Sequence, residues 1–342
     1  MTDNKQLKPF LVDVPVAIQA FVRPQMLEKQ WAVIKQARPS ILFVRSDGPR
    51  EHVPTDRDLI ARSRAITEDV DWECTVYRLY QEKNIGMYGM MDYTQPFIWD
   101  KVDRCIFLED DQVPAVGFFR WCAEMLERYK DDLRVYRITG VNLCGTWDAT
   151  PNDYFFAKVP TSSGTALWRR TYEARDTELK YAKDPYMMAH LNRHLPWYLK
   201  KQFRSFAETG TYAYHKPAGE FFSRAMQNCQ NQLVIVPKYN QIANIGIGGG
   251  STHTASNMKT MPKALQKQYF METHEFTFPL KHPEFVFADE EFAKEREKHL
   301  GVRSRWQNFW RNFERYARLL IFGEFKKIFS GISRKMNKTI EK

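Results

Sequence analysis

The sequence predicts an α/β fold, a doubly wound and mostly parallel sheet followed by an amphipathic helical extension. Three observations point to it. Val14 to Phe21 is almost wholly apolar, as a strand buried on both faces of a parallel sheet must be. Leu27, Trp31 and Ile34 then recur at helical spacing behind Pro24, a residue suited to a first helical position. A second apolar run, Ile41 to Val44, follows a helix break at Pro39-Ser40 and completes a strand, helix, strand unit.

The turn Ser46-Asp47-Gly48-Pro49 falls at the carboxyl end of that second strand, where open α/β sheets bind ligands. Another unit is expected between Arg57 and Asn84, with a strand near Thr75 to Arg78. Cys105 to Leu108 is a short apolar strand that runs into Glu109-Asp110-Asp111. The helix after it places Phe118, Cys122, Met125 and Tyr129 on one face. This first part reads as a doubly wound, nucleotide-binding half. Beyond Tyr154 the pattern is less regular. Leu233 to Val236 is a strand, and the glycines of Asn244 to Gly250 demand a loop.

With 342 residues, 43% of them hydrophobic, the chain can build a sizeable core. Its five cysteines are odd in number and form no CxxC pair, which suggests a reducing compartment and neither a disulfide framework nor a zinc knuckle. No signal peptide or membrane-spanning stretch is expected. The formal charge is +10, but residues 301–342 hold eleven Lys/Arg against three Glu, so the other 300 residues are nearly neutral. An argument from basicity therefore concerns the tail, and nucleic acid is not an expected partner.

The acidic triplet Glu109-Asp110-Asp111 is the most informative feature. In an extended segment Glu109 and Asp111 would point one way and Asp110 the other. Hard cations such as Mn²⁺ or Mg²⁺ bind carboxylate oxygens and complete their shell with substrate phosphates, which suits a diphosphate leaving group. A solvated acidic turn at a strand end is the alternative at this point.

The order and spacing of several segments resemble the glycosyltransferases of GT-A fold, in particular the family-2-like branch often labelled hemolytic-protein-like. They are Phe21-Val22-Arg23-Pro24, Ser46-Asp47-Gly48-Pro49-Arg50, Asn84-Ile85-Gly86, the Leu108-Glu109-Asp110-Asp111 block, Arg137 to Asn142, Pro237 to Asn240, Asn244-Ile245-Gly246 and Phe278 to Pro283. The resemblance implies a GT-A domain over 1–300, with a nucleotide-sugar-binding half at 10–142 and an acceptor-binding half at 143–300; the charge count sets off a basic amphipathic helical tail over 301–342. It implies that Asp111 holds the metal, that Glu109 or Asp110 contacts the metal or donor ribose, and that Asp47 contacts the nucleobase. Arg23, Asn84 and Gly86 would line the same crevice, Gly86 having a turn role as its alternative.

His253, after the glycine loop, stands where related transferases often supply a further metal ligand; a surface histidine is the alternative, and imidazole would favour manganese. Inverting sugar transfer needs a base for the acceptor hydroxyl, and Glu220 has the family-like placement at the start of a helix. Glu208 and Asp184 stand in reserve, each with helix capping or a surface ion pair as its alternative. Many relatives carry a Trp-Asp-rich segment near Glu220 and a Trp-Gly-Trp stretch earlier, and this chain does not. Trp168, with Arg169 and Arg170 beside it, lines the acceptor site or belongs to the core. His215 and His282 are taken as structural.

In the tail, Trp306, Phe309, Trp310, Phe313, Ala317 and Leu320 share a helical stripe, ringed by Arg303, Arg305, Arg311, Arg315 and Arg318. Such a helix either binds anionic lipid at the interface or docks on the domain with its charged face in water. The expectation is a metal-dependent transfer, inverting as the resemblance implies, from a nucleotide-sugar donor to a glycan or lipid-linked acceptor. It would take place in bacterial envelope polysaccharide synthesis, on the cytoplasmic face of the inner membrane. A sugar nucleotidyltransferase is disfavoured because no glycine-rich phosphate loop follows the first strand, and a scaffold that has lost the chemistry is the remaining alternative.

Overall fold

The computed structural model describes residues 7–159, 163–212, 216–217, 219–247, 257–325 and 328. The first two units run β1 (Val12–Gln19), α1 (Pro24–Ala37), β2 (Pro39–Ser46), α2 (Asp56–Ile66), β3 (Thr75–Tyr80) and α3 (Gly86–Lys101). Then come β4 (Arg104–Leu108), β5 (Gln112–Pro114), α4 (Gly117–Arg128), β6 (Val135–Thr139), β7 (Tyr154–Ala157), β8 (Thr165–Trp168) and α5 (Arg169–Glu173). The chain continues with α6 (Pro185–His194), α7 (Trp197–Thr209), α8 (Gly219–Cys229), β9 (Leu233–Pro237), β10 (Ile242–Asn244), α9 (Lys263–Gln266), α10 (Glu290–His299) and α11 (Arg305–Ile321).

Eight strands form one sheet in the order β3-β2-β1-β4-β8-β6-β9-β7, and β10 pairs with β5 in a second, two-stranded sheet. β1, β2, β3 and β4 are parallel, β6 is parallel to β9, and β8 and β7 run antiparallel to their neighbours. The expected α/β architecture is present. Because β8 is inserted between β4 and β6, the two expected halves share one continuous sheet.

Strand β1 begins and ends two residues before the predicted run. Pro39 and Ser40, expected to break the helix, instead open β2, where Pro39 faces Val12. The helix has already stopped at Arg38, which adopts the left-handed conformation and donates its amide to Ile34 O at 2.8 Å. A proline is tolerated as the first residue of a strand, where no ladder donor is required of it.

The sheet carries helices on both faces. On one, Leu27, Trp31 and Ile34 of α1 pack with Phe118, Trp121, Cys122 and Met125 of α4 against Val16, Ile18, Ile106 and Leu108. The face predicted for α4, which also includes Tyr129, is buried as a whole. On the other, Ile98 and Trp99 of α3 pack on Phe43, Leu79 and Cys105. Each such side chain contributes roughly 1.5–3 kcal/mol by leaving water, so the sheet edge above them is a rigid platform. A separate apolar cluster, with Tyr181, Leu199, Phe203, Phe206 and Phe221 at its centre, joins α7 to α8.

Helix α11 docks through Arg311, Glu314 and Arg318. Arg311 Nη1 donates to Leu300 O at 2.9 Å, Arg318 Nη1 to Lys259 O at 3.2 Å, and the Lys263 amide donates to Glu314 Oε1 at 3.1 Å. Leu319 is buried beside them. The opposite side leaves Trp306, Phe309, Trp310 and Phe313 about half exposed or more, in mutual ring contact at 5.4–5.8 Å. Arg305 and Arg315 of the same helix are exposed, so the docked alternative with part of its charge in water holds for this helix. Among the described residues no helix is long and apolar enough to cross a membrane.

Candidate functional site

In the strand order, β1 has β2 on one side and β4 on the other, so the chain reverses its direction of winding between β1 and β4. Ligands of open α/β sheets bind in the crevice at the carboxyl ends of such a strand pair. Ile18 and Leu108 stand side by side there, and Arg23 and the acidic triplet emerge just above them.

The triplet is not extended. The Gln112 amide donates to Glu109 O at 3.1 Å, closing a turn over Asp110 and Asp111. The expected alternation of side chains therefore fails, because turn geometry swings both aspartates to the same side. Both meet Arg23, whose Nη1 lies 2.6 Å from Asp111 Oδ2 and 3.3 Å from Asp110 Oδ1. Gln30, fully buried on α1, clamps the turn by donating to Glu109 O at 2.6 Å and Gln112 O at 2.7 Å. Gln112 accepts the Gly164 amide at 2.8 Å, which ties the turn to the start of β8. Gln30 and Gln112 were not singled out from sequence, although Gln30 carries a signal: it is a polar residue within the stripe formed by Leu27, Trp31 and Ile34.

The carboxyls are short of positive charge. Loss of solvation, with Asp111 beside it, pushes Glu109 up to about 7, although the residue keeps contact with solvent. Burial also pushes Asp110 up to about 7 against the opposing pull of Arg23. Carboxyls that resist ionisation in this way gain stabilisation from any added cation.

A neighbouring clip fixes the other wall. Asp47, buried at the end of β2, accepts the amides of Gly48, Ile85 and Gly86 and the Asn84 side chain, all at 2.8–2.9 Å. Two oxygens that accept four donors have essentially no capacity left. Asp47, Asn84 and Gly86 therefore assemble as expected, but the Asp47 carboxylate acts by holding the first turn of α3 to β2. That leaves it no lone pair for the base contact expected of it. Gly86 has φ of +72°, so its turn role is real. Arg50 braces the same segment through a two-pronged pair with Asp56 at 2.7 and 2.8 Å.

The far wall is brought by β10. Its antiparallel pairing with β5 sets Asn244 opposite Gln112, and the Ile245 amide donates to Asp111 O at 2.8 Å. Gly246 then lies against the carboxylate, where a Cβ would fall 1.9 Å from Asp111 Oδ2. Tyr269 faces the same group: burial and then the Asp111 charge push its phenol up.

Two properties of this chain test whether a divalent cation fits. Among the described residues Asp111 Oδ1 is buried with no hydrogen-bond partner, which leaves one hard oxygen for a cation. Among the described residues no group of three or more His, Cys, Asp or Glu is arranged to hold an ion. One or two carboxylates completed by substrate phosphates and water is the manner in which Mg²⁺ and its relatives are held in many phosphate sites, and the turn fits that manner. His253 and His215 lie outside the described residues.

The remaining candidates sit elsewhere. Trp168 is 4% exposed, donates to Leu126 O at 2.9 Å and faces Arg104 at the amino end of β4. Arg169 pairs with Asp103 at 3.1 Å in the same place. Both are thus at the opposite end of the strand from the triplet and do not line this cleft; the core alternative holds for Trp168. Glu220 is exposed on the first turn of α8 and pairs with Arg224 one turn on. The segment before it approaches α3, with Tyr88 OH 3.5 Å from Lys216 O. Asp184 caps α6 by accepting the amides of Tyr186 and Met187, and Glu208 is exposed near the end of α7. His282 is held between Tyr154, at 3.0 Å, and Glu124, at 3.2 Å, a structural position.

No protein-family model matches the chain, and no curated protein matches its sequence. Among solved structures it is similar to UDP-glucose pyrophosphorylase complexed with UDP-glucose, at 8% identity and a TM-score of 0.33, over 68% of this chain and 93% of that one. It is similar to mouse xyloside xylosyltransferase 1 in its apo form at 12% identity and 0.35, over 66% and 85%. For the 4-diphosphocytidyl-2C-methyl-D-erythritol synthase from Anaerococcus prevotii the values are 6% and 0.32, over 67% and 91%. Likeness this distant assigns no family.

Proposed function

We propose that this protein is a glycosyltransferase that moves a sugar from a nucleotide-diphosphate donor to a glycan or lipid-linked acceptor. The observation that carries the proposal is the acidic turn Glu109 to Asp111, seated at the topological switch point between β1 and β4 with one carboxylate oxygen unpartnered. Asp111, with Asp110 or Glu109, would hold Mn²⁺ or Mg²⁺, which supplies charge stabilisation to a departing diphosphate. His253 is proposed as a further ligand. Arg23 offers a guanidinium to the diphosphate oxygens, and the backbone of the clip at Asp47, Asn84 and Gly86 forms the nucleotide wall.

Glu220 is proposed as the base that takes the acceptor hydroxyl proton, in keeping with the sequence resemblance and with the approach of its segment to α3. The exposed aromatic side of α11, together with exposed Arg303, Arg305 and Arg315, supports peripheral attachment to an anionic membrane surface. The cytoplasmic face, where envelope glycans begin, is the proposed location. A sugar nucleotidyltransferase is the weaker reading, since the β1 to α1 connection, Ala20 to Arg23, contains no glycine to let a backbone close on a triphosphate.

A calorimetric screen of nucleotide sugars against the wild type and Asp111→Ala, with and without Mn²⁺, tests the proposal. Metal-dependent binding of one donor, lost in the variant, is expected. Failure of every donor to bind would defeat it.

A further inference from the structure

The unpartnered oxygen of Asp111 and the guanidinium on its other oxygen have a joint consequence. We propose that Arg23 is a resident counter-ion that keeps the Asp111 site closed to divalent cations and exchanges partners when donor arrives, leaving the carboxylate for the donor diphosphate. The inference rests on the donor-site reading given above.

The geometry supports it in four ways. Arg23 Nη1 lies 2.6 Å from Asp111 Oδ2 and 3.3 Å from Asp110 Oδ1, so it bridges the same two carboxyls that would bind a cation. A cation that used both would meet the guanidinium directly, and two like charges sharing one carboxylate repel strongly inside a cleft. Among the described residues Asp111 Oδ1 has no hydrogen-bond partner: Arg23 is on Oδ2, and the backbone amide of Ile245 is spent on the main-chain oxygen of Asp111. Arg23 is also placed to move. It sits at the N-cap position of α1, its carbonyl receives the Met26 and Leu27 amides, and its side chain caps nothing. The backbone is therefore anchored while, among the described residues, the guanidinium is held by the two carboxyls.

Arg23 on this account is a donor-binding residue that makes metal and donor binding cooperative. Each ligand lowers the cost of the other by the same factor, because both draw on the release of one ion pair.

The test is Mn²⁺ alone, titrated calorimetrically and by loss of the free-ion paramagnetic resonance signal, into wild type, Arg23→Met, Arg23→Gln and Arg23→Lys. Circular dichroism on each variant checks folding, and two neutral variants guard against failure of one. Both neutral variants are expected to bind Mn²⁺ on the order of tenfold more tightly than the wild type, within the span of coupling between linked sites, and Arg23→Lys is expected to stay close to the wild type. Adding Asp111→Ala to Arg23→Met should erase the gain. Neutral variants that bind Mn²⁺ no more tightly than the wild type overturn the exchange, and metal-dependent donor binding by the wild type would then leave the transferase proposal standing. Tighter Mn²⁺ binding by variants of a protein that takes up no nucleotide sugar would instead refute the donor site while confirming Arg23 as the competitor of the cation.

Discussion

Replacing Gly246 by alanine adds one methyl group at the most crowded point of the site. An ideal Cβ there would lie 1.9 Å from Asp111 Oδ2, 2.6 Å from its Cγ and 2.9 Å from its Cβ. All three distances are inside van der Waals contact, so either the carboxylate or the strand end must move. If Asp111 moves, the bond from Arg23 at 2.6 Å breaks; if the strand end moves, the bond from the Ile245 amide at 2.8 Å breaks. Overpacking costs about 1–3 kcal/mol and a charge-assisted hydrogen bond about 1.5–3 kcal/mol. The two share atoms and do not simply add, so we expect a loss of about 2–4 kcal/mol. At roughly 2 °C per kcal/mol for a protein of this size, the melting temperature should fall by about 4–8 °C. Differential scanning calorimetry measures this, with Gly219→Ala as the control. A Cβ at Gly219 meets nothing within 4 Å, so that substitution should change stability little. The same pair of variants should separate in donor binding, which Gly246→Ala loses and Gly219→Ala keeps. Equal stability of the two, with donor binding intact in both, would refute the placement of Gly246 against Asp111.

Further outcomes follow from other parts of the molecule. The Arg50 pair holds the Asp56 carboxyl below the usual range, so its contribution is present above the unfolded carboxylate pKa and is lost as pH falls through the folded value. Asp56→Asn should therefore lose about 1–3 kcal/mol at pH 7, less than a fully enclosed pair because Arg50 is partly exposed, and the gap from wild type should close near the acid limit of a urea-unfolding series. Trp168→Phe should lose about 1–3 kcal/mol because Leu126 O loses its donor, while acceptor KM stays unchanged; a raised KM with normal stability would return Trp168 to the acceptor site. Replacing Trp306, Phe309, Trp310 and Phe313 together by serine should lower binding to phosphatidylserine vesicles by about tenfold or more in a co-sedimentation assay, with a smaller loss of melting temperature than four core aromatics would cause, since these rings are about half exposed.

Much of the fold was legible in the sequence because it rests on periodicity. The apolar runs at Val14, Ile41, Cys105 and Leu233 all lie in strands of the main sheet, and the α4 stripe is buried as a face. Pro39-Ser40 misled because proline both stops helices and opens strands, and only the pairing with β1 decides between them. The acids misled in a related way. A short acidic run after a strand has no periodicity of its own, so whether it continues the strand or turns depends on distant partners, here Gln30 and Gln112.

The sequence by itself determined the α/β class, the position of the acidic residues after a central strand and the two-sided character of the final helix, since these follow from local composition and spacing. Tertiary structure alone decided which groups meet. Arg23 reaches Asp111 across 88 positions, Asp47 receives Ile85 and Gly86, and Gly246 is delivered to Asp111 by the pairing of β10 with β5. It also removed Trp168 and Arg169 from the cleft, because β8 enters the sheet antiparallel and sets them at the amino end of β4. Strand direction is a property of pairing over the whole sheet, and no local pattern of residues encodes it.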